Sequence, residues 1–135
     1  MKIDYLQARV VAILAIAVTA FFFLFPSNGH GGETGHVDQA VQHLIAHVTE
    51  SDLTFIRNND QFNGKDAADH MQKKYAYFRD RIKTPEDFIE RCATRSLMSG
   101  KPYLVINEKG AMITTNKWLM TELVAYQNGI IGKSP

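Results

Sequence analysis

The chain has 135 residues, a formal net charge of +1 and a single cysteine, Cys92. This length leaves room for one small domain. The near-neutral charge supplies no overall field that would attract nucleic acid, and one cysteine cannot form an internal disulfide. The totals therefore argue against a nucleic-acid partner and against a disulfide-stabilised scaffold.

An uncharged apolar segment, Val10–Phe25, lies near the N-terminus. With the residues just before it, the segment is about long enough to cross a hydrocarbon core of ~30 Å as a helix. Lys2 and Arg9 precede it, whereas residues 26–36 contain no Lys or Arg. The positive-inside tendency thus predicts a cytoplasmic N-terminus and an exported C-terminal part.

Two interpretations of residues 1–25 stay open. An uncleaved anchor, in contact with the cytoplasmic membrane through residues 5–25, predicts a single-pass inner-membrane protein whose C-terminus is periplasmic. A cleaved signal peptide predicts a soluble periplasmic protein, and Ser27-Asn28-Gly29 offers the small residues that a signal peptidase accepts. A flexible, glycine-rich tether is expected over residues 26–36.

Residues 37–129 carry the patterns of a folded domain, with a short tail at 130–135. Apolar helical spacing begins at Val37 and continues to about Glu50. A second helix is predicted from a cap at Asn63 to about Arg81.

Two more helices are predicted in the second half of the domain. The third begins with Thr84 as cap and Pro85 at the first helical position, and Gly100 is available to end it. The fourth begins with Asn116 as cap and is stopped by Asn128-Gly129.

Extended segments interrupt the helices. Leu53–Ile56 is a strand-like run that ends in the turn-rich residues 57–60. Pro102–Ile106 and Ala111–Thr115 predict a β-hairpin with a turn over residues 107–110. The fold class is therefore α+β, with about four helices packed against an antiparallel hairpin or a three-stranded sheet.

A basic flank is predicted on the second helix, where His70, Lys74, Tyr77 and Arg81 recur at helical spacing. Such groups can hold a carboxylate or phosphate through charge-assisted hydrogen bonds. Alternatively, the flank is a solvated face whose basic residues pair with neighbouring acids, namely Asp66, Asp69 and Asp80.

The junction Ser96–Tyr103, between the third helix and the hairpin, combines two hydroxyls, a glycine and a lysine. It can present backbone N–H groups and a charge to an anion. It is not a phosphate-binding P-loop, because that motif's spacing is absent. Alternatively, the junction is a helix end followed by a rigid entry into the strand.

Three histidines, His36, His43 and His47, fall within one sector of the first helix, close to Glu50. Imidazoles at this spacing can share a divalent metal. However, the sector points away from the apolar stripe, and no second helix is required to shield it. We therefore expect surface histidines, no metal site and no cofactor. Cys92 is expected on the buried face as a small hydrophobe.

Several segments resemble the YfeK-like bacterial family in order along the chain: Thr54–Asn58, Ala67 with His70 and Lys74, Arg79–Ile82, Thr84–Ile89 and Ser99–Val105. The resemblance covers nearly all of residues 37–127. It implies a small exported protein of the bacterial envelope with a domain of unknown function, and it supplies no activity. It also implies a recurring polar set, which serves either a site or a hydrogen-bonded scaffold: Arg57, Asn58, His70, Lys74, Arg79, Ser99, Gly100, Lys101 and Tyr103.

Two classes of function follow. The first is an envelope domain that binds a small anionic ligand or an envelope protein, without catalysis, between the second helix and the Ser99–Tyr103 junction. The second is an envelope hydrolase with His70 as general base, which requires a nucleophile or paired carboxylates near that imidazole. No complete catalytic set is recognisable in the sequence, so binding is the favoured interpretation.

Overall fold

The computed structural model describes residues 31–132. The expected anchor or signal segment, residues 1–25, and the first part of the expected tether lie outside the described residues. Within residues 31–132, none of the helices combines the length and the apolar character needed to cross a membrane.

The described chain alternates helices with short strands. Its elements in chain order are α1 (Gly31–Thr49), β1 (Thr54–Arg57), β2 (Asp60–Phe62), α2 (Gly64–Phe78), a 3₁₀ turn (Arg79–Arg81), α3 (Pro85–Cys92), β3 (Leu104–Ile106), β4 (Met112–Thr114) and α4 (Thr115–Ile131). The predicted α+β class and the four helices are confirmed in this part of the chain.

The strands form one antiparallel sheet in the order β2-β1-β3-β4. The predicted hairpin is present as β3–β4, but the sheet has four strands and not two or three, because β2 adds a further strand. β2 has only three residues, and Asp60 and Gln61 are exposed, so it lacks the apolar alternation that marks a strand. Asn58 and Asn59, at φ 54° and 74°, make the tight turn that folds β2 back on β1.

The helix starts at Asn63 and Thr84 are as predicted. The Asn63 side chain accepts a hydrogen bond from the backbone N–H of Asp66 at 2.8 Å. Thr84 and Asp87 form a reciprocal capping box, with Pro85 at the first helical position. These caps satisfy backbone N–H groups that the helix itself leaves unpaired.

The expected end of α3 and start of α4 are corrected. α3 ends at Cys92, and Gly100 lies eight residues later, at φ +70°, after the turn at Leu97–Ser99. Thr114, and not Asn116, caps α4 by accepting from the N–H of Lys117. The Asn116 amide donates to Thr94 Oγ1 at 2.8 Å, so it is engaged elsewhere.

The outer ends of α1 and α4 also extend further than expected. α4 continues through Asn128 and Gly129 to Ile131, because neither residue there adopts a positive φ. α1 begins at Gly31, so the expected tether is helical from that residue onward. Glu33 in the first turn complements the positive end of the helix dipole.

The core lies between one sheet face and the helices. Phe55 and Val105 sit opposite each other on β1 and β3 and are both buried, and Ile113 continues the row on β4. The helices supply the largest fully buried side chains: Leu44 from α1, Phe88 and Ile89 from α3, and Leu119 and Leu123 from α4. This packing fixes α2 beside the β1–β2 edge, where the polar set converges.

Candidate functional site

A small cleft opens where α2 meets β1, β2 and β3. We call it the Arg57 cleft. Its lining comprises Phe55, Ile56, Arg57, Phe62, Ala67, His70, Met71, Tyr103, Leu104 and Thr115. The space open to the centre of a water molecule is about 20 Å³, and the cleft with its mouth spans about 290 Å³. The cleft thus has a mostly apolar wall and a few polar groups, an arrangement typical of small-ligand sites.

His70 and Tyr103 form the polar centre of this cleft. Nε2 of His70 lies 3.1 Å from the hydroxyl oxygen of Tyr103, and the two rings meet edge to face. Burial, together with the neighbouring cations Arg57, Lys74 and Lys73, lowers the pKa of His70 to about 4. Burial also raises the pKa of the Tyr103 phenol. At neutral pH both groups are therefore uncharged hydrogen-bonding groups.

Lys74 lies behind Tyr103 and is only 7% exposed. Its Nζ donates to the backbone carbonyl of Arg95 at 2.9 Å and lies 5.1 Å from the centre of the Tyr103 ring. Burial lowers the pKa of this amine, and the charge of Arg57 adds to that effect. Lys74 does not line the cleft, so it affects the cleft only through its electrostatic field and through the position of Tyr103.

Arg57 provides the accessible cation of the cleft. β1 ends at this residue, and its guanidinium lies 4.4 Å from the centre of the Phe62 ring on β2. Among residues 31–132, neither Arg57 nor Lys74 forms an ion pair with a carboxylate. The expected pairing of the flank with Asp66, Asp69 and Asp80 is thus absent for Lys74, while Asp69 pairs with Lys65.

A second part of the polar set joins two turns beside the cleft. The Ser99 hydroxyl donates to Oδ1 of Asn58 at 2.6 Å, although the two residues are 41 positions apart. Lys101 N–H donates to Ser99 Oγ, and the Lys101 carbonyl accepts from Ser96 N–H. These contacts hold the turn around Gly100 against the β1–β2 turn. They are scaffold contacts that fix where β1 delivers Arg57.

Arg79 belongs to neither group. Its guanidinium lies 3.2 Å from Asp38 Oδ2 on α1 and 5.5 Å from the centre of the Tyr75 ring. The Tyr75 hydroxyl donates to the other oxygen of Asp38. Arg79 therefore helps to fasten α1 to the end of α2, whereas Tyr77 and Arg81 are exposed.

Two of the α1 histidines, His43 and His47, face helix α4, which the sequence did not predict at this position. His43 Nε2 lies 2.7 Å from Glu122 Oε1, and His47 Nδ1 lies 3.7 Å from the other oxygen. Tyr126 stacks on His43, and Trp118 lies against His47. In the described part of the chain no group of His, Cys, Asp and Glu is arranged to hold a metal ion. The expectation that no second helix shields this sector is corrected, since α4 covers it.

Cys92 is fully buried, as its position on the inner face of α3 predicts. Burial raises the pKa of its thiol to about 11, so the reactive thiolate is disfavoured. The cysteine is thus a core residue.

Two cleft residues were missed by sequence reasoning. The Phe62 ring packs against the Arg57 guanidinium. Sequence reasoning missed it because β2, the strand that carries it, lacks an alternation of apolar and polar residues. Thr115 lies at the start of α4 and is 1% exposed, and its hydroxyl is the buried side-chain polar atom without a protein partner among the described residues. The sequence gives no signal for Thr115, because its burial depends on how α4 docks against β3.

Comparisons with known proteins place the chain among relatives. A family model described as a family of unknown function, DUF5329, matches residues 35–127. The chain is 34% identical over 92 residues to the uncharacterised protein YfeK of Salmonella typhimurium; the alignment covers 67% of this chain and 74% of that relative. No solved structure matches the chain. The resemblance to YfeK-like proteins found in the sequence is thereby confirmed.

Proposed function

We propose that this chain, which belongs to the family of unknown function DUF5329, binds small organic anions in the Arg57 cleft without catalysing a reaction on them. The observation that carries the proposal is an unbalanced positive charge. Arg57 and Lys74 lie around the part-buried His70–Tyr103 pair, and neither cation has a carboxylate partner in residues 31–132. Burying or half-burying a cation without a counterion is unfavourable. An anionic ligand in the cleft would supply the missing negative charge, and this interaction would favour its binding.

The cleft favours a short acid with an apolar body. The Arg57 guanidinium offers a planar fork that matches a carboxylate, and the Tyr103 hydroxyl adds a neutral donor. Phe55, Met71 and Leu104 line the remainder with apolar surface. An interior of about 20 Å³ leaves room for few atoms, which disfavours large ligands.

The alternative, a hydrolase with His70 as general base, has weaker support. A pKa of about 4 makes the imidazole a poor base at neutral pH. Its Nε2 is engaged with the Tyr103 hydroxyl, and no Asp or Glu lines the cleft. Cys92 is buried in the core and protonated. These observations favour a binding role for His70.

A titration of the purified full-length chain with butyrate tests the proposal, with binding followed by NMR. Butyramide serves as the uncharged ligand of the same shape. We expect butyrate to bind and butyramide to bind at least about tenfold more weakly, since a charge-assisted hydrogen bond is lost. Equal affinities would contradict the proposal, as would failure of butyrate to bind.

Variants locate the site. Arg57→Gln removes the accessible guanidinium, and we expect it to weaken butyrate binding at least about tenfold. Arg81→Gln is the matched control, because Arg81 is exposed on the turn after α2 and forms no ion pair with any residue in 31–132. Lys74→Met should weaken binding less than Arg57→Gln, since Lys74 does not line the cleft. Equal loss in Arg57→Gln and Arg81→Gln would place binding elsewhere.

We also propose that the domain works in the bacterial envelope, outside the cytoplasm. The support is the apolar segment Val10–Phe25 with Lys2 and Arg9 before it. A reporter enzyme that works only in the periplasm should be active when fused after Pro135, and activity of a cytoplasm-only reporter there would contradict this topology. N-terminal sequencing of the mature protein then separates an anchor from a signal peptide cleaved near His30.

A further inference from the structure

The Thr115 hydroxyl is a buried polar group for which the folded protein supplies no hydrogen-bond partner. The residue is 1% exposed and opens helix α4, and its backbone N–H donates to the Tyr103 carbonyl at 2.9 Å. This bond fixes its position relative to the polar centre of the Arg57 cleft, which Thr115 also lines. A buried hydroxyl without a partner is unfavourable for the free protein, so its presence requires an explanation.

We infer that Thr115 determines specificity: the ligand of the Arg57 cleft is a short carboxylate that carries a hydroxyl or oxo group, and this group bonds to Thr115 Oγ1. The inference rests on the proposed function and adds the second polar group of the ligand. The carboxylate binds near Arg57 and Tyr103. The Thr115 hydroxyl has less than 1 Å² open to solvent, so the hydroxyl or oxo group of the ligand reaches it only when the apolar side chains around it, Phe55, Met71 and Leu104, shift on binding.

The physical reason is that an unpaired hydroxyl in a site distinguishes strongly between ligands that can bond to it and ligands that cannot. A site that bonds a ligand hydroxyl rejects the analogue lacking it, because the analogue leaves the protein's own polar group buried and unpaired. A plain alkyl acid gains only apolar contact at this position. The hydroxylated acid restores the missing bond of Thr115 as well.

The test compares two ligands on two forms of the full-length chain. The ligands are butyrate and β-hydroxybutyrate, and the variant is Thr115→Val, which keeps the shape of the side chain and removes the hydroxyl. Wild-type protein should bind β-hydroxybutyrate about fivefold or more tightly than butyrate, the effect of one hydrogen bond. In Thr115→Val this preference should vanish.

Thr121→Val is the matched control on the same helix. The Thr121 hydroxyl donates to the Lys117 carbonyl, and the residue is exposed outside the Arg57 cleft. Its ligand preference should equal that of the wild type. A preference that persists in Thr115→Val, or is lost equally in Thr121→Val, would overturn the inference.

Thermal unfolding of the unliganded proteins gives a readout independent of binding. Thr115→Val should unfold at the same or a higher temperature than the wild type, because it removes an unpaired polar group. A clearly lower temperature would show that the hydroxyl already has a partner, such as a bound water, and would overturn the inference. If butyrate and β-hydroxybutyrate bind equally well to the wild type, the inference fails while the proposed function stands. If neither acid binds, both fail.

Discussion

The imidazole of His70 and the phenol of Tyr103, 33 residues apart, meet at 3.1 Å in the wall of one cleft, with Lys74 behind the phenol ring. This contact joins α2 to the segment that leads into β3. It also brings two members of the polar set together, and the sequence around neither residue predicts this contact.

The stability of the free protein should depend on pH through His70. Its pKa is about 4 in the folded protein and near 6.5 in the unfolded chain. Between these values the unfolded state binds more protons than the folded state, so the free energy of unfolding should fall as the pH is lowered from about 6.5 to about 4. Above pH 6.5 this group should contribute no pH dependence. Urea unfolding at several pH values measures the effect.

His70→Gln should flatten that part of the pH profile, whereas His36→Gln should leave it as in the wild type. His36 is the control because it is exposed on α1 and forms no ion pair within the described part of the chain. A profile that is unchanged in His70→Gln would show that the half-buried His70 imidazole does not cause the loss of stability between pH 6.5 and pH 4.

The stability of a Lys74 variant distinguishes a role of Lys74 in binding from a role in holding the fold together. The Lys74 ammonium is buried and has no carboxylate partner among residues 31–132. Replacing it with methionine removes a desolvated charge, so Lys74→Met should change the free energy of unfolding by less than about 1 kcal/mol or stabilise the protein. The exposed neighbour Lys73→Met provides the comparison. Destabilisation by about 3 kcal/mol or more in Lys74→Met alone would assign Lys74 to the scaffold, through its bond to the Arg95 carbonyl.

The Asp38–Tyr75–Arg79 contact should behave as scaffold. Tyr75 is buried and donates to Asp38, so Tyr75→Phe should cost about 1 kcal/mol of unfolding free energy and leave butyrate affinity unchanged. Tyr77→Phe should cost nothing measurable, because Tyr77 is 78% exposed. Chemical denaturation of both variants gives the comparison; equal stabilities of the two would contradict this assignment.

Gly64 should be the least replaceable glycine of the described chain. A Cβ there would lie 2.2 Å from the Val48 carbonyl oxygen and 2.6 Å from that of Ser51, where α1 ends against the start of α2. Gly64→Ala should therefore destabilise by more than about 2 kcal/mol. Gly100→Ala should cost about 1 kcal/mol, since Gly100 has φ +70° and open space around it.

Gly35→Ala is the opposite case and the control. Gly35 lies within α1, and nothing stands within 4 Å of its added Cβ, so alanine should stabilise the helix by about 0.5–1 kcal/mol. Melting temperatures should rank Gly35→Ala highest, then Gly100→Ala, then Gly64→Ala. Any other order would contradict the packing at the junction of α1 and α2.

Local signals were sufficient for part of the fold. Thr84 with Pro85 marks a helix start through hydrogen bonds made within four residues, so the sequence reveals it. β2 is different: its strand character comes from pairing with β1 after the Asn58–Asn59 turn, and its own side chains are mostly exposed. The predicted cap of α4 was two residues too late, because the Asn116 side chain bonds to Thr94, a residue 22 positions away.

The candidate site divides in the same way. Helical spacing correctly placed His70 and Lys74 on one flank of α2, and the resemblance to YfeK-like proteins added Arg57 and Tyr103. Spacing could not show that Lys74 is buried while Tyr77 is exposed, because both follow from how β3 docks beside α2. Nor could helical spacing show that Arg79 lies apart from the cleft and contacts Asp38 on α1.

The most direct measurement is the protonation of His70 with and without a bound acid, followed by NMR of the imidazole nitrogens in the full-length chain. An anion beside Arg57 would offset the positive field and favour the charged imidazole. We expect a His70 pKa of about 4 in the free protein and a higher value in the presence of saturating butyrate, with no change on adding butyramide. A His70 pKa that is the same with butyrate as without it would contradict anion binding in the Arg57 cleft.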